Sequence, residues 1–155
     1  MNRPLRREDR RLDDAAAMAL LKRGEYGILS TCGKDDRPYG IPVNYAVMED
    51  AIFFHCATEG RKLENIAANR GVSFCVVGRT EPLPEKFSTR YESVVVSGDA
   101  GVVADMELKK TALRALVAKY APGNVAAGKA YIDKLMDKTA VVRISIDHLI
   151  GKARK

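Results

Sequence analysis

The sequence has few of the residues that most often bring covalent or metal chemistry to a small protein. It contains no tryptophan, two histidines and three cysteines in 155 residues, and aromatic residues make up only 6%. There is no CxxC pair and no Cys/His cluster with the spacing of a zinc site, so we expect no metal. Cys32, Cys56 and Cys75 each lie in an apolar, strand-like segment. This pattern predicts buried, reduced thiols in a cytoplasmic protein.

Long apolar runs are absent as well. No run approaches the roughly 20 residues that span a bilayer, and the charged residues 1–14 contain no apolar core of a signal peptide. We therefore expect no membrane partner and no secretory signal. Hydrophobic residues account for 46% and charged residues for 30%, which excludes a disordered chain. The length predicts a single domain over residues 1–155.

The net charge of +6 is concentrated at the two ends of the chain. Residues 1–11 carry five arginines against Glu8 and Asp9, and residues 151–155 carry three bases. The rest of the sequence holds equal numbers of basic and acidic residues. A nucleic-acid-binding domain usually carries its basic residues on the folded body. The distribution favours a solvated basic lead-in over residues 1–11 and no nucleic-acid partner.

Hydrophobic periodicity predicts about six strands with four helices placed between them. The strands are predicted over residues 26–31, 39–48, 51–56, 72–77, 91–103 and 140–146. The helices are predicted over residues 12–24, 61–69, 105–120 and 125–136. The regular strand–helix repeat of a parallel sheet is missing. The pattern therefore predicts a mainly β fold, a six-stranded antiparallel β-barrel with peripheral helices.

Prolines and glycines mark irregular points in these strands. Pro42 has no N–H to donate, so its strand is expected at a sheet edge or at a bulge. Gly98 and Gly101 are candidate bulge positions within one long strand. Residues 78–87 contain two prolines and are predicted to form a loop.

The junction over residues 53–63 is the most informative segment for function. A strand ends there and a helix begins, with Thr58 as the expected N-cap and Gly60 able to let a ligand approach the backbone. Arg61 and Lys62 stand in the first turn, where the helix dipole disfavours a cation by about 0.3–1 kcal/mol. Two bases at this place are explained if an anion such as a phosphate lies between them and the helix end. The alternative is that both side chains extend into water.

His55 lies at the end of the strand that precedes this junction. An imidazole there can hydrogen-bond a ligand or transfer a proton near neutral pH. It can equally be an ordinary histidine without a chemical role. His148 follows the last predicted strand and is interpreted as structural.

The common nucleophile and nucleotide motifs are missing, since GxSxG, GxGxxG and GxxxxGK[ST] do not occur. Catalysis, if present, would then depend on a bound cofactor.

Residues 88–93 contain several hydroxyl groups, a guanidinium and a phenol. They form either a phosphate- or ring-binding edge or a plain polar start of a strand.

Taken in order, these segments resemble the pyridoxamine 5′-phosphate oxidase-like flavoproteins, and within them the 5-nitroimidazole resistance (Nim) branch. The resemblance runs from Arg6 to Lys152. It is carried by RPY at 37–39, PVNY at 42–45, FHCA at 54–57, GRKL at 60–63, FCVVG at 74–78, LPEKFSTRYESV at 83–94 and KTAV at 138–141.

The resemblance implies a split β-barrel that forms a homodimer with FMN in a groove between the protomers. It places Leu29, Ser30 and Thr31 along the flavin ring or ribityl chain. It further implies that Asn44 contacts the flavin edge and that His55, Cys56 and Ala57 line the ring. Arg61 and Lys62 are expected to hold the phosphate. The partner protomer is expected to contribute Ser88, Arg90, Tyr91 and Ser93.

The reaction implied by this resemblance is the reduction of a small acceptor, with nitroimidazole as one candidate. Electrons would come from a nicotinamide or another donor, and His55 would be the catalytic residue. No C-terminal segment that would recognise pyridoxamine phosphate is identified, so oxidation of that substrate is not expected.

Three alternatives remain open at this stage. One is a non-catalytic protein that holds haem or flavin on the same barrel, with His55 or His148 as an axial ligand of the haem. Another is a regulator that uses the arginine-rich N-terminus on nucleic acid. A deazaflavin in place of FMN is the third.

Overall fold

The computed structural model of the chain describes residues 5–155. The helices are α1 (Asp14–Arg23), α2 (Arg61–Ala68), α3 (Met106–Tyr120) and α4 (Val125–Leu135). The strands are β1 (Gly27–Cys32), β2 (Pro38–Val43), β3 (Ala46–Met48), β4 (Ala51–Cys56), β5 (Gly71–Leu83), β6 (Ser88–Val102), β7 (Ala140–Ser145) and β8 (His148–Arg154). Within the described range, no helix is both long and apolar enough to cross a membrane.

The strands form one antiparallel sheet in the order β2-β1-β5-β6-β7-β4-β3, and β8 pairs with β6 beside this path. β2 and β3 are the two ends of the path, so the sheet is open rather than closed. The chain crosses the opening through Asn44 and Tyr45. The predicted architecture, mainly antiparallel β with peripheral helices, is confirmed, but with eight strands instead of six. Pro42 lies on the edge strand β2, as its missing N–H predicts.

The structure differs from the predicted elements at three places, because pairing with distant strands determines the structure there. Residues 39–48 form two strands, since the chain leaves the ladder at Asn44 and Tyr45. The predicted loop over residues 78–87 is mostly a continuation of β5, whose Thr80–Leu83 part pairs with the start of β6. β8, absent from the prediction, is held by its pairing with β6.

The irregular point of the β5–β6 pair also differs from the prediction. The register shifts between Val77 and Thr80, and not at Gly98 or Gly101. Gly98 has a different role, because a Cβ at this position would overlap the backbone carbonyl of Ser145. β6 exchanges its partner β5 for β7 after the next residue, between Asp99 and Ala100, so glycine permits the close crossing of the two parts of the sheet.

The four predicted helices are confirmed. The carboxylate of Asp13 accepts a hydrogen bond from the backbone N–H of Ala16 at 2.7 Å and caps α1. α1 buries Leu20 and Leu21 against the inner face of the sheet, and each buried leucine stabilises the fold by about 1.5–3 kcal/mol. α3 covers a second apolar cluster that includes Leu116.

Candidate functional site

The turn between β4 and α2 leaves the start of the helix without a side-chain cap. Gly60 occupies the N-cap position with a φ of +128°, and its carbonyl accepts from the N–H groups of Leu63 at 2.9 Å and Glu64 at 3.1 Å. The prediction of Thr58 as N-cap is therefore wrong, because the chain turns at the glycine. The N–H groups of Arg61 and Lys62 precede the first intrahelical donor and have no acceptor within the helix.

Open space lies in front of this helix start. A Cβ built on Gly60 meets no atom within 4 Å. The guanidinium of Arg61 stacks over the ring of Tyr39 on β2, 4.6 Å from its centroid, while Lys62 is half-buried. The same helix face borders an open groove of about 790 Å³ that also contacts Lys34. Asp35 and Glu64 also line this groove. The helix start itself, with two free N–H groups and the bases Arg61 and Lys62, has the donors and the positive charge that suit an anion.

His55 and Cys56 lie at the end of β4, directly before this turn. The His55 side chain is exposed, yet the surrounding protein atoms lower its pKa below the usual histidine value. Burial raises the pKa of the Cys56 thiol, and the nearby Lys62 ammonium opposes that rise only in part. At neutral pH the site therefore presents a neutral imidazole and a protonated thiol.

A buried hydrogen bond holds α2 against the sheet. The amide Nδ2 of Asn65 donates to Thr31 Oγ1 at 2.9 Å, and this hydroxyl lies 3.4 Å from the carbonyl oxygen of Tyr39. The bond connects the helix that carries Arg61 to the strands β1 and β2. Asn65 was missed from the sequence, although an amide beside the inward Ile66 was an available signal.

The three residues predicted on β1 do not share one environment. The side chain of Leu29 is in the core, and that of Thr31 is buried against Asn65. Only Ser30 faces outward, where it is half-buried. Any ligand contact by Leu29 or Thr31 in this structure would have to involve the backbone.

Asn44 is exposed at the opening of the sheet and borders a groove of about 560 Å³ with Ile28 and Pro42. Ala57 is exposed after the end of β4. These residues and the helix start of α2 belong to one protomer, at the β2 and β4 side of the sheet.

The other predicted group lies elsewhere in the same chain. Ser88, Arg90, Tyr91 and Ser93 occupy the first half of β6, beside β8 and the outer part of β5. Arg90 forms an ion pair of 3.4 Å with Glu81. Ser88 Oγ is buried and, within residues 5–155, has no hydrogen-bond partner. The structure does not bring this group to Arg61 and Lys62 within one protomer, and its predicted contribution from a partner stays a prediction.

An apolar row crosses the outer face of the sheet. Strand register places its members directly opposite one another across β2, β1, β5, β6 and β8, and they are Pro42, Ile28, Cys75, Val95 and Ile150. None of them is fully buried. The row begins at the Asn44 groove and ends on β8. The row is a continuous and partly exposed apolar surface.

Comparison with known proteins agrees with the fold. The family model described as pyridoxamine 5′-phosphate oxidase matches residues 13–153. No curated protein matches the sequence.

Solved structures share the fold at low sequence identity. A candidate 5-nitroimidazole antibiotic resistance protein from Bacteroides thetaiotaomicron aligns with a TM-score of 0.76 at 20% identity, covering 92% of this chain and 86% of that one. The flavocytochrome Anf3 from Azotobacter vinelandii aligns with a TM-score of 0.83 at 20% identity, covering 98% and 72%. The FAD and haem binding protein from Mycobacterium smegmatis aligns with a TM-score of 0.79 at 21% identity, covering 92% and 72%.

The family match spans most of the sequence and includes the β4–α2 junction, while the structural neighbours share the open antiparallel sheet with its peripheral helices. The chain is therefore a member of the pyridoxamine 5′-phosphate oxidase family with the split-barrel fold.

Proposed function

We propose that the protein binds FMN at the β4–α2 junction and uses it as an oxidoreductase. The observation that carries this proposal is the uncapped start of α2. The helix start has two free N–H groups, and it carries the half-buried Lys62 and Arg61, which stacks on Tyr39. A Cβ built on Gly60 would meet no atom within 4 Å, so the space at this glycine is open. A terminal phosphate fits this set, because backbone donors and cations both favour a dianion there.

The roles proposed for Asn44, the end of β4 and His55 are based on this position of the phosphate. Asn44 lies at the opening of the sheet, where its amide can hydrogen-bond the polar edge of a ring, and the end of β4 provides one wall. FMN, when bound, would supply two-electron transfer. The neutral imidazole of His55 has one ring nitrogen that donates and one that accepts, so it can orient an acceptor and pass it a proton.

The proposal includes a homodimer that shares the site. A second copy of the chain would cover the apolar row from Pro42 to Ile150, which otherwise exposes Val95 on an open sheet face. Such a copy would bring its own β6 residues, from Ser88 to Ser93, toward the cofactor. The Asn44 groove lies at one end of the row, so dimer contact and cofactor contact would be continuous.

The substrate would be a small acceptor reduced with electrons from a nicotinamide or other donor. A nitroimidazole is a candidate acceptor, supported by the fold shared with the candidate resistance protein from Bacteroides thetaiotaomicron. We place the protein in the cytoplasm, because Cys32, Cys56 and Cys75 form no disulfide in the structure.

Cofactor retention tests this proposal directly. Purified protein is incubated with FMN and desalted, and the retained ligand is identified by absorbance and mass. We expect stoichiometric FMN in the wild type and at least a tenfold weaker affinity in Lys62→Gln and Arg61→Gln. Lys22→Gln, an exposed base at the end of α1, is the matched control. A wild type that retains no FMN, or unchanged affinity in both variants, contradicts the phosphate assignment.

A second candidate function is binding of haem or flavin without turnover. It is favoured by the fold shared with the FAD and haem binding protein from Mycobacterium smegmatis and by the exposed His55, which could ligate iron. A Soret band that appears with added haemin and disappears in His55→Ala would support it. Steady oxidation of NADH by the FMN-loaded protein in the presence of a nitro acceptor would support the oxidoreductase instead.

A further inference from the structure

Residues 10–12, within the basic N-terminal segment, lie beside the basic end of β8. Arg11 and Lys152 form an antiparallel β-bridge, and the N–H of Leu12 donates to the carbonyl of Gly151 at 3.0 Å. Basic residues that lie far apart in the sequence are therefore close together in the described part of the chain, next to β8.

Tyr91 lies among these basic residues. Arg10 Nη1 donates to the Tyr91 hydroxyl at 3.4 Å. On the adjacent strand, Arg154 lies directly opposite Tyr91, and Lys152 lies two residues away on the same face. The hydrogen bond from Arg10, with a further contribution from Lys152, lowers the pKa of the Tyr91 phenol. Arg10 and Lys152 thus act on this hydroxyl, and Arg154 lies opposite Tyr91 in the ladder.

These three cations differ from other bases nearby, which have carboxylate partners. Arg7 pairs with Asp9 at 2.6 Å, and Arg90 pairs with Glu81 at 3.4 Å. Over residues 5–155, by contrast, neither Arg10, Lys152 nor Arg154 takes part in an ion pair. The charge of Arg10 acts on the Asp9 carboxylate without an ion-pair contact. Like charges held together without a direct ion pair favour the binding of an anion.

The surface around Arg10 and Arg154 is concave. Two adjoining clefts of about 590 and 460 Å³ share Leu12, Ala153 and Arg154 as walls. Volumes of this size are typical of sites for small molecules. Carboxylates line both clefts, Asp9 and Asp13 in one and Glu81 and Glu92 in the other, which disfavours a long phosphate backbone lying across the surface.

We propose that Arg10, Lys152, Arg154 and the Tyr91 hydroxyl form a binding site for a small diphosphate-bearing anion. We call it the chain-end site. Guanidinium groups match phosphate oxygens in bidentate geometry, and an ammonium and a phenol add single donors. The ligand is free pyrophosphate or the diphosphate of a nucleotide. The site shares Tyr91 with the cofactor contact of the proposed function but needs no FMN to bind its ligand.

Calorimetric titration with inorganic pyrophosphate and with ADP, at fixed ionic strength, tests the site. We expect saturable binding that weakens at least tenfold in Arg10→Gln and in Arg154→Gln. Lys129→Gln, which removes an exposed base on α4, should bind as the wild type does. Tyr91 is left intact in these variants because the proposed function assigns it a contact with the cofactor. Tighter binding of ADP than of pyrophosphate identifies a nucleotide site, and equal binding identifies a free diphosphate site.

Three outcomes would overturn the chain-end site. They are the absence of saturable binding to either probe, an equal loss in Lys129→Gln, and preferential binding of duplex DNA with a steep dependence on salt. Tyrosinate absorbance provides a second measurement. Saturating pyrophosphate should raise the apparent pKa of Tyr91 by neutralising the cations around it, and an unchanged titration would count against the proposal.

Discussion

The hydroxyl of Tyr120 satisfies the backbone of Tyr45 at the opening of the sheet. It accepts from the Tyr45 N–H at 2.9 Å and lies 3.0 Å from the Tyr45 carbonyl oxygen. Lys119 Nζ donates to the same carbonyl at 3.0 Å and lies 3.8 Å from the centroid of the Tyr45 ring. Tyr45 stands between β2 and β3, where no neighbouring strand pairs with it. The end of α3 thereby supports the segment that carries Asn44.

Tyr120→Phe is expected to destabilise the protein by about 1–3 kcal/mol, because it leaves a backbone N–H at the sheet opening without its partner. Urea denaturation followed by circular dichroism measures the change. Tyr131→Phe is the matched control, since Tyr131 is exposed on α4. Equal stability of the two variants would mean that water replaces the hydroxyl at this position.

Gly98→Ala is expected to cost about 1–3 kcal/mol or more, because the added methyl group would displace the Ser145 backbone where β6 crosses from β5 to β7. Gly123→Ala provides the comparison, since a Cβ there meets nothing within 4 Å, and it should change stability by less than about 1 kcal/mol. Thermal melts of both variants distinguish the two cases. A Gly98→Ala protein as stable as Gly123→Ala would show that the crossing can relax.

Acidification should reduce stability through His55. Its pKa is lowered in the folded state because the surrounding protein atoms partly desolvate the imidazole, so between the folded and the unfolded pKa the unfolded chain binds more protons. This contribution is fully present above the unfolded value of about 6.5 and is lost as the pH falls towards the folded value. His55→Gln should therefore flatten the dependence of urea midpoints on pH between about 7.5 and 5. His148→Gln keeps His55 and should retain the wild-type slope; the same flattening in both would contradict the assignment.

Val95→Lys should convert a dimer into a monomer, because it places a charge in the middle of the apolar row. Val125→Lys introduces the same charge at a valine that is also exposed, at 54% against 40% for Val95, but lies on α4. Sedimentation equilibrium measures the mass of each variant. We expect loss of the dimer only in Val95→Lys, accompanied by weaker retention of FMN. A wild type that sediments as a monomer would remove the shared-site part of the proposal.

Local patterns predicted the elements whose signals are local. Asp13 and Asp105 accept from the first-turn N–H groups of α1 and α3, and a short side chain at an N-cap is visible in any window of the sequence. The apolar run that begins after Glu49 and Asp50 placed β4 at its observed bounds, 51–56. Arg61 and Lys62 also stand at the start of a helix, as predicted, because that start follows directly from the strand before it.

Pairing between distant residues was not accessible in the same way. The segment after Val77 contains glycine, prolines and charges, yet it forms a strand because β6 provides hydrogen-bond partners for it. The bond between Asn65 and Thr31 joins residues 34 positions apart. Neither residue carries a local signal that names the other.

The sequence by itself determined the mainly antiparallel architecture, the positions of the four helices and the cationic start of α2, since periodicity, capping and charge act over a few neighbouring residues. Only the tertiary structure decided that β2 and β3 do not pair with each other, that Tyr120 supports the opening between them, and that Arg11 lies beside Lys152. These features depend on which distant segments pair. That choice is made by burying the whole core at once, and no local stretch of residues contains it.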